Sequence, residues 1–415
     1  MSIAELQKLI NQPFEPVEQF DFAVQAYRIF TKQAEIVKST LTENSKKIEE
    51  ITLNRIMKAD PLIPIASGRS KILSSDLLKK IAINLGIPVE EPETALNIEL
   101  YKNPVPVVIS TSGEREEPKK LATEFSNHGV APIAITANLN SSIAKCAGEE
   151  NTIPLKVPTE DKEIKEIKKY CPLGNLGEFS SMLTVMHIAG TLASKIHDLH
   201  DSPASYANLM IDEIYYNILK FYPHFSRRKE LHSTICKKIA DSDFLGLAGE
   251  EYSSNIVRSF SIRIKQLLTR EKETRRIHVF NSDEANPLYS PEFSKKHEKA
   301  VIFGNSGRGI GFAKDIIEKA KILRERPEIK GKTEIDIIGM TFTPNSYIHR
   351  ESDHAMILPN SYIQLSLDGS TVLRTYEPLS LIVTDSMVPA IAIYSGIEPD
   401  RINELMEKTH NILGY

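Results

Sequence analysis

Short apolar segments alternate with amphipathic segments along most of the chain. Over about the first 60 residues, apolar positions such as Phe22, Ala26 and Phe30 recur at helical spacing and predict helices. Brief apolar runs follow, each leading through a polar loop into a new amphipathic segment. In the first half these runs lie at 62–66, 87–89, 105–109, 132–136 and 152–155. Such alternation predicts parallel strands covered by helices on both faces, which is the doubly wound α/β arrangement.

The second half of the chain repeats the first, and this repeat is the most informative pattern in the sequence. Its apolar runs correspond in order to those of the first half and lie at 244–249, 277–280, 300–303, 335–341 and 354–359. In each half a glutamate then opens an apolar helix, Glu178 in the first and Glu377 in the second. The repeat predicts two α/β domains in tandem with flanking helices. We place the first domain at residues 1–203 and the second at 204–415, because a Ser-Pro pair breaks the helix pattern there.

Composition narrows the class of protein. The 415 residues are 41% hydrophobic and 26% charged, which are globular proportions, and they exceed one ordinary domain in length. The net charge of -4 lacks the basic excess of a general nucleic-acid-binding protein, and no apolar run approaches the roughly 20 residues that span a bilayer. The first residues lack a leader pattern, and three scattered cysteines form no CxxC pair. We therefore expect a cytoplasmic protein without nucleic-acid, membrane or metal partners.

Two polar loops follow adjacent predicted strands and are the candidate binding elements. The first loop contains Ser67, Gly68, Arg69 and Ser70, and the second contains Ser110, Thr111, Ser112 and Gly113. The carboxyl ends of parallel strands share one edge of a sheet, where ligands usually bind. Hydroxyls and free backbone N–H groups at helix starts attract anions, so the loops form a candidate phosphate site that needs no metal. The alternative is that they are ordinary turns and helix caps, in which serine and glycine are common.

Nucleotide-binding patterns are absent from the sequence. It contains no GxxxxGK(S/T) segment, and the glycines from Gly304 to Gly311 do not form a GxGxxG fingerprint. We therefore expect no nucleotide or other cofactor.

Three segments of the first half resemble the sugar isomerase (SIS) domain. They are Ile65 to Ser70, Val108 to Glu114 and Ile133 to Asn138, and the likeness covers roughly residues 20–200. The second half is similar but matches more weakly, with Gly307-Arg308 where the family usually has Gly-Glu. The segments that resemble the helix of 6-phospho-3-hexuloisomerase-like members are Pro172 to Phe179 and Tyr376 to Leu381. The resemblance implies two SIS domains of flavodoxin-like type in tandem and a phosphorylated sugar as ligand.

The resemblance also implies which residues bind and which transfer protons. The two serine loops and Ser306 of the second half would hold phosphate, and Glu178, Glu377 or His410 would carry the proton. Moving a proton between adjacent sugar carbons needs a base near neutral pH, and a glutamate or histidine meets this need. The alternative is that both glutamates only complement a helix dipole.

Two positions depart from the family pattern. Arg115 stands where the family has threonine, and the catalytic glutamate of glucosamine-6-phosphate synthase would fall near Arg263 or Ile264, so glucosamine synthesis is not expected. We expect an aldose–ketose isomerase that acts through an enediol. Two alternatives stay open, namely a sugar-phosphate sensor that binds a partner protein, and an amino-sugar or fructosamine phosphate deglycase or deaminase. A homodimer also stays open, since a tandem chain imitates the dimer that SIS proteins often form.

Overall fold

Two parallel β-sheets form the framework of the protein. The structure is a computed structural model, and it describes residues 1–95, 97–158, 167–172, 175–200, 202–268, 276–281, 286–290, 293–359, 364–367, 370–374 and 376–413. Helices cover both sheets, so the expected class, two doubly wound α/β sheets in tandem with flanking helices, is confirmed.

The first sheet has the strand order β1-β2-β3-β4, and all its strand pairs are parallel. The strands are β1 (Leu62–Ile65), β2 (Val105–Ile109), β3 (Ile133–Thr136) and β4 (Thr152–Pro154). On the outer side of β1, Val89 makes a parallel bridge to Leu62. Every residue of β1, β2 and β3 is buried, which explains why these strands are continuous apolar runs in the sequence.

The second sheet has the order β6-β5-β7-β8-β9, again with parallel pairs. The strands are β5 (Phe244–Gly249), β6 (Arg276–Val279), β7 (Lys299–Asn305), β8 (Glu334–Thr341) and β9 (His354–Ile357). Strand β6 lies beside β5 as Val89 lies beside β1, so the two sheets share one topology. An antiparallel hairpin of β10 (Gln364–Leu367) and β11 (Ser370–Arg374) follows, and the sequence pattern does not predict it.

Helices surround both sheets. Those of the first half are α1 (Ile3–Asn11), α2 (Gln19–Glu43), α3 (Ser45–Asn54), α4 (Gly68–Ser70), α5 (Asp76–Asn84), α6 (Glu116–Asn127), α7 (Ser142–Ala147) and α8 (Asn175–His197). Those of the second half are α9 (Pro203–Arg227), α10 (Lys229–Asp241), α11 (Ser253–Leu268), α12 (Phe293–Lys296), α13 (Phe312–Arg324), α14 (Tyr347–Glu351), α15 (Tyr376–Tyr394) and α16 (Ile402–Leu413). A π-helical turn, Lys71–Ser75, joins α4 to α5. Among the described residues, no helix has both the length and the apolar character needed to cross a membrane.

Each half packs its entry helix against the last long sheet-covering helix of the other half. Helix α2 lies along α15, and α9 lies along α8. The buried hydroxyl of Tyr27 in α2 donates to the carbonyl of Ile218 in α9 at 2.9 Å, and its ring stacks on Phe225. One continuous apolar core therefore includes helices of both halves. The boundary at residues 203 and 204, which divides the sequence repeats, stays a prediction, because this exchange of helices crosses it.

Candidate functional site

A cavity of about 480 Å³ lies at the carboxyl ends of the strands of the first sheet. This volume falls within the usual range of small-molecule sites, about 300–1,000 Å³. The first half contributes Ser67, Gly68, Arg69, Ser70, Ile109, Ser110, Thr111, Ser112, Arg115, Ala137, Asn138, Val157, Lys168 and Glu178. The second half contributes Ile262, Arg263, Gln266 and Glu407. The cavity is thus built from both repeats.

The loop after β1 presents hydroxyl groups to this cavity. Ser67 precedes α4 and Ser70 precedes the π-helical turn, and neither side chain caps the helix that it precedes. Gly68 has φ +58°, which turns the chain sharply between the strand and the helix. Among the described residues no protein group bonds the hydroxyls of Ser67 and Ser70, so both are available to a ligand.

The loop after β2 is held in shape by its own backbone. The N–H of Gly113 donates to the carbonyl of Ser110 at 3.1 Å, and the carbonyl of Thr111 accepts from the N–H of Ala137 at 3.0 Å. Gly113 has φ +67°, and a Cβ there would overlap the side chain of Ser141, so only glycine fits. Gly113 therefore shapes the loop without lining the cavity, whereas Ser110, Thr111 and Ser112 line it.

The acidic residue after this loop has a structural role. Glu114 accepts hydrogen bonds from the backbone N–H of Ser142 at 2.7 Å and from its hydroxyl at 2.9 Å. These bonds lower the pKa of Glu114 and fix the loop to the start of α7. The next residue, Arg115, is exposed and lines the cavity, which leaves a cation at its edge.

The start of α8 meets the second loop directly. A Cβ on Gly177 would overlap the side chain of Thr111, so the helix approaches the loop closely at this glycine. Glu178 is the next residue, in the first turn of the helix. The positive end of the helix dipole therefore points toward the hydroxyl loop, where it favours an anion.

A network of four charged side chains lies at the cavity, and three of them, Arg69, Glu178 and Arg263, line it. Arg69 Nη1 and Arg263 Nη2 both donate to Glu178 Oε2, at 2.7 and 2.8 Å. Arg69 Nη2 donates to Asp385 Oδ2 in α15 at 2.5 Å. The side chains of both arginines are 2% exposed, that of Asp385 is 1% exposed and that of Glu178 is 16% exposed. Two positive and two negative charges thus balance in a buried place, as buried ions require.

Two more donors of Arg69 are engaged. Its Nε donates to the hydroxyl of Ser259 at 2.6 Å, and Nη1 donates to Asn175 Oδ1 at 2.8 Å. Arg69 therefore lines the cavity while its guanidinium group holds parts of both halves together.

The pKa values of the two arginines are shifted in opposite directions. Burial alone would lower the pKa of Arg69, but Asp385 and Glu178 outweigh it and raise that pKa. Burial and the charge of Arg69 lower the pKa of Arg263 to about 10, and Glu178 offsets part of the effect. Both guanidinium groups stay protonated at neutral pH.

The structure brings together most of the site residues suggested by the sequence. Ser67, Gly68, Arg69, Ser70, Ser110, Thr111, Ser112 and Glu178 all line the one cavity. Ser306 and Glu377 lie elsewhere, around the equivalent loops of the second half, where Glu377 is 6% exposed. His410 belongs to α16, three residues beyond Glu407, and its side chain lies outside the described residues. The roles of these residues stay predictions.

The sequence does not indicate several residues that line the cavity or bond to the residues that do. The sequence comparison indicates Arg263 only as a position near which glucosamine-6-phosphate synthase has its catalytic glutamate. In the structure, Arg263 donates a hydrogen bond to Glu178. Asp385 was missed, although an aspartate within an otherwise apolar helix is a signal, because a buried carboxylate needs a partner. Lys168 and Glu407 face each other at 3.3 Å at the rim, where α16 meets the first half. Neither residue lies in a recognisable motif.

Within the described residues, no group of three or more histidine, cysteine, aspartate or glutamate side chains is arranged to hold a metal ion. The three cysteines are free, and Cys171 and Cys236 are buried. Burial raises the pKa of both buried thiols, so neither is a reactive thiolate.

Comparisons of sequence give no match, either to a protein-family model or to a curated protein. Comparisons of structure do give matches. The C-terminal domain of glucosamine-fructose-6-phosphate aminotransferase from Francisella tularensis is 13% identical, with a TM-score of 0.59, over 90% of this chain and 97% of that one. Tagatose-6-phosphate ketose/aldose isomerase from Escherichia coli is 12% identical, with a TM-score of 0.58, over 94% of this chain and 98% of that one. This chain therefore has the fold of these proteins over nearly its whole length.

Proposed function

We propose that this protein binds a phosphorylated sugar in the cavity of the first half and isomerises it between aldose and ketose forms. The observation that carries the proposal is that unengaged serine hydroxyls and a glutamate line the same cavity. The fold likeness to a ketose/aldose isomerase and to an aminotransferase domain, both named for phosphorylated sugars, supports the ligand class. A cytoplasmic location and a homodimer stay predictions.

The phosphate would lie against the two hydroxyl loops. Ser67, Ser70, Thr111 and Ser112 supply hydroxyl donors, and the start of α8 supplies the positive end of a helix dipole. Arg115 at the edge would complete the charge, since a guanidinium group binds phosphate through two parallel hydrogen bonds.

The sugar would then extend toward Glu178. Both arginines bond Oε2, and no described residue bonds Oε1, which leaves that oxygen to accept a proton. Glu178 would remove the proton from the carbon beside the carbonyl group and return it to the neighbouring carbon, through an enediol. The charge of Arg263, which lines the cavity, would stabilise the negative charge that develops on the enediol oxygen.

A sugar-phosphate sensor is the second candidate, and the double contact of Glu178 favours it. A carboxylate held by two guanidinium groups fixes the shape of a binding site, and a protein that binds a sugar phosphate without converting it needs no more. A deglycase or deaminase would use the same hydroxyl loops and would release an amine or ammonia.

The test is a thermal-shift screen of the whole protein against hexose, pentose and amino-sugar phosphates beside their unphosphorylated sugars. A ligand at 100 times its dissociation constant stabilises the folded state by about 2.7 kcal/mol. We expect one phosphorylated sugar to raise the melting temperature and the Ser112→Ala variant to lose most of that shift. Incorporation of solvent deuterium into that sugar would indicate an isomerase, binding without exchange a sensor, and released ammonia a deaminase. The absence of any shift would refute the proposed phosphate site.

A further inference from the structure

The second half of the chain contains a loop with the same construction as the hydroxyl loop of the first. The backbone N–H of Ser110 donates to the carbonyl of Ile135 in β3, and the backbone N–H of Ser306 donates to the carbonyl of Met340 in β8. Gly309 has φ +67°, like Gly113, and a Cβ there would likewise overlap a serine side chain. The segment 306–309 is therefore the structural equivalent of 110–113.

Strand register extends this equivalence to the other loop. Ile65 of β1 pairs with Val108, and Ala248 of β5 pairs with Gly304, two residues before the respective loop serines. Counting on from these pairs places Glu250 where the first half has Ser67. It also places Glu251 where the first half has Gly68, and the two have similar φ values, +49° and +58°.

The carboxylate of Glu250 lies within the second loop. The hydroxyl of Ser306 donates to Glu250 Oε2 at 3.4 Å. A Cβ on Gly311 would overlap the same carboxylate, and Gly311 is the equivalent of Arg115. The first half thus has a hydroxyl and a cation at two positions where the second half has a carboxylate and the glycine that makes room for it.

Little space remains around this carboxylate. The cavity bounded by Glu250, Ser306 and Glu377 measures about 30 Å³, against about 480 Å³ in the first half. A space of that size holds about one water molecule and no phosphate group.

We propose that the second half retains an anion-binding loop and that the carboxylate of Glu250 occupies it in place of a ligand. Without that carboxylate, the loop would bind inorganic phosphate or a phosphomonoester. A carboxylate resembles a phosphate in charge and in its acceptor oxygens, so it satisfies the same donors from within the chain. This proposal depends on the geometry of the second half and is independent of catalysis in the first.

The test transplants the residues of the first half into the second. The variant Glu250→Ser with Glu251→Gly reproduces Ser67 and Gly68 and removes the occupying carboxylate. The matched control is Glu251→Gly alone, which removes a neighbouring charge and leaves Glu250 in place. Equilibrium dialysis with radiolabelled inorganic phosphate counts the phosphate bound per chain, and circular dichroism verifies the fold of each variant.

We expect the double variant to bind one more phosphate per chain than the wild type or the control. Adding Ser306→Ala should remove that gain. If the folded double variant binds no more than the wild type, or if the control gains the same site, Glu250 does not close the loop and the proposal fails. A wild type that binds no phosphate would count against the proposed function of the first half, while the gain in the variant would still support this inference.

Discussion

At the scale of single residues, the two carboxylate oxygens of Glu178 differ in their contacts. Both guanidinium donors reach Oε2, so the carboxylate is held from one side only. Among the described residues, no group bonds the other oxygen, and Glu178 lines the same cavity as the hydroxyl loops.

The substitution Glu178→Gln tests the proton-transfer role. The amide keeps the size of the side chain but cannot accept a proton, so solvent exchange into the bound sugar phosphate should fall at least ~100-fold. The dissociation constant should change much less, since phosphate is held by the hydroxyl loops. Exchange measured by mass spectrometry and binding measured by calorimetry separate the two effects.

The substitution Glu377→Gln is the matched comparison, because it makes the same change at the equivalent place in the second half. If it lowers exchange and Glu178→Gln does not, the proton-transfer role belongs to the second half.

At the scale of the elements, α8 approaches the loop after β2 closely at Gly177. The contact places the first turn of a helix beside three hydroxyl-bearing residues, and it relies on the missing side chain of Gly177. Glu178 follows this glycine directly, so the loop and the glutamate keep a fixed separation.

The substitution Gly177→Ala should therefore weaken both stability and binding. The added Cβ overlaps Thr111, and such overpacking typically costs about 1–3 kcal/mol. We expect a lower melting temperature and a phosphate affinity reduced by about tenfold or more. Combining it with Thr111→Ala removes the overlapping atoms and should restore the melting temperature toward that of Thr111→Ala alone. Equal destabilisation in both backgrounds would contradict the contact.

At the scale of the whole molecule, ion pairs of two kinds join the halves. Asp385 and Arg69 are buried and separated by 316 residues in sequence. Lys38 and Asp212 form a pair at the surface at 3.0 Å. Only the first kind leaves an uncompensated buried charge when one partner is removed.

Asp385→Asn should lower the free energy of unfolding by about 3 kcal/mol, because it leaves Arg69 with one counter-charge fewer in a buried place. Asp212→Asn, the same change in an exposed pair, should cost about 1 kcal/mol or less, since exposed pairs contribute little. Denaturant unfolding of both variants measures the difference. Equal effects would show that the buried network does not hold the halves together.

Two buried histidines predict a dependence of stability on pH. Burial lowers the pKa of His187 and of His232 to about 4, from 6.5. Between these values the unfolded chain binds protons that the folded chain excludes, so stability falls as the pH drops from about 6.5 to 4. Each ring should contribute about 3 kcal/mol over that window.

His187→Gln should therefore remove about 3 kcal/mol of the loss, measured by denaturant unfolding between pH 4 and 7. The exposed His128→Gln serves as control and should leave the loss unchanged. An unaltered pH dependence in His187→Gln would contradict the assignment.

Local pattern determined the strands, the repeat and the two hydroxyl loops of this protein. A strand buried on both faces must be apolar along its whole length, and a strand-to-helix turn requires glycine and favours serine, so both leave a signal within a few residues. Glu178 was found for the same reason, as the acidic residue in a first helical turn.

Only the tertiary structure decided which charges meet. Arg263 contacts Glu178 and Asp385 contacts Arg69 from helices of the second half, and no local pattern relates residues so far apart in the chain. The sequence pattern also does not show that the carboxylate of Glu250 occupies the second loop, because this depends on the space that Gly311 leaves for it in the folded structure. Burial and pairing of charges depend on how the elements pack, and the exchange of helices between the halves sets that packing.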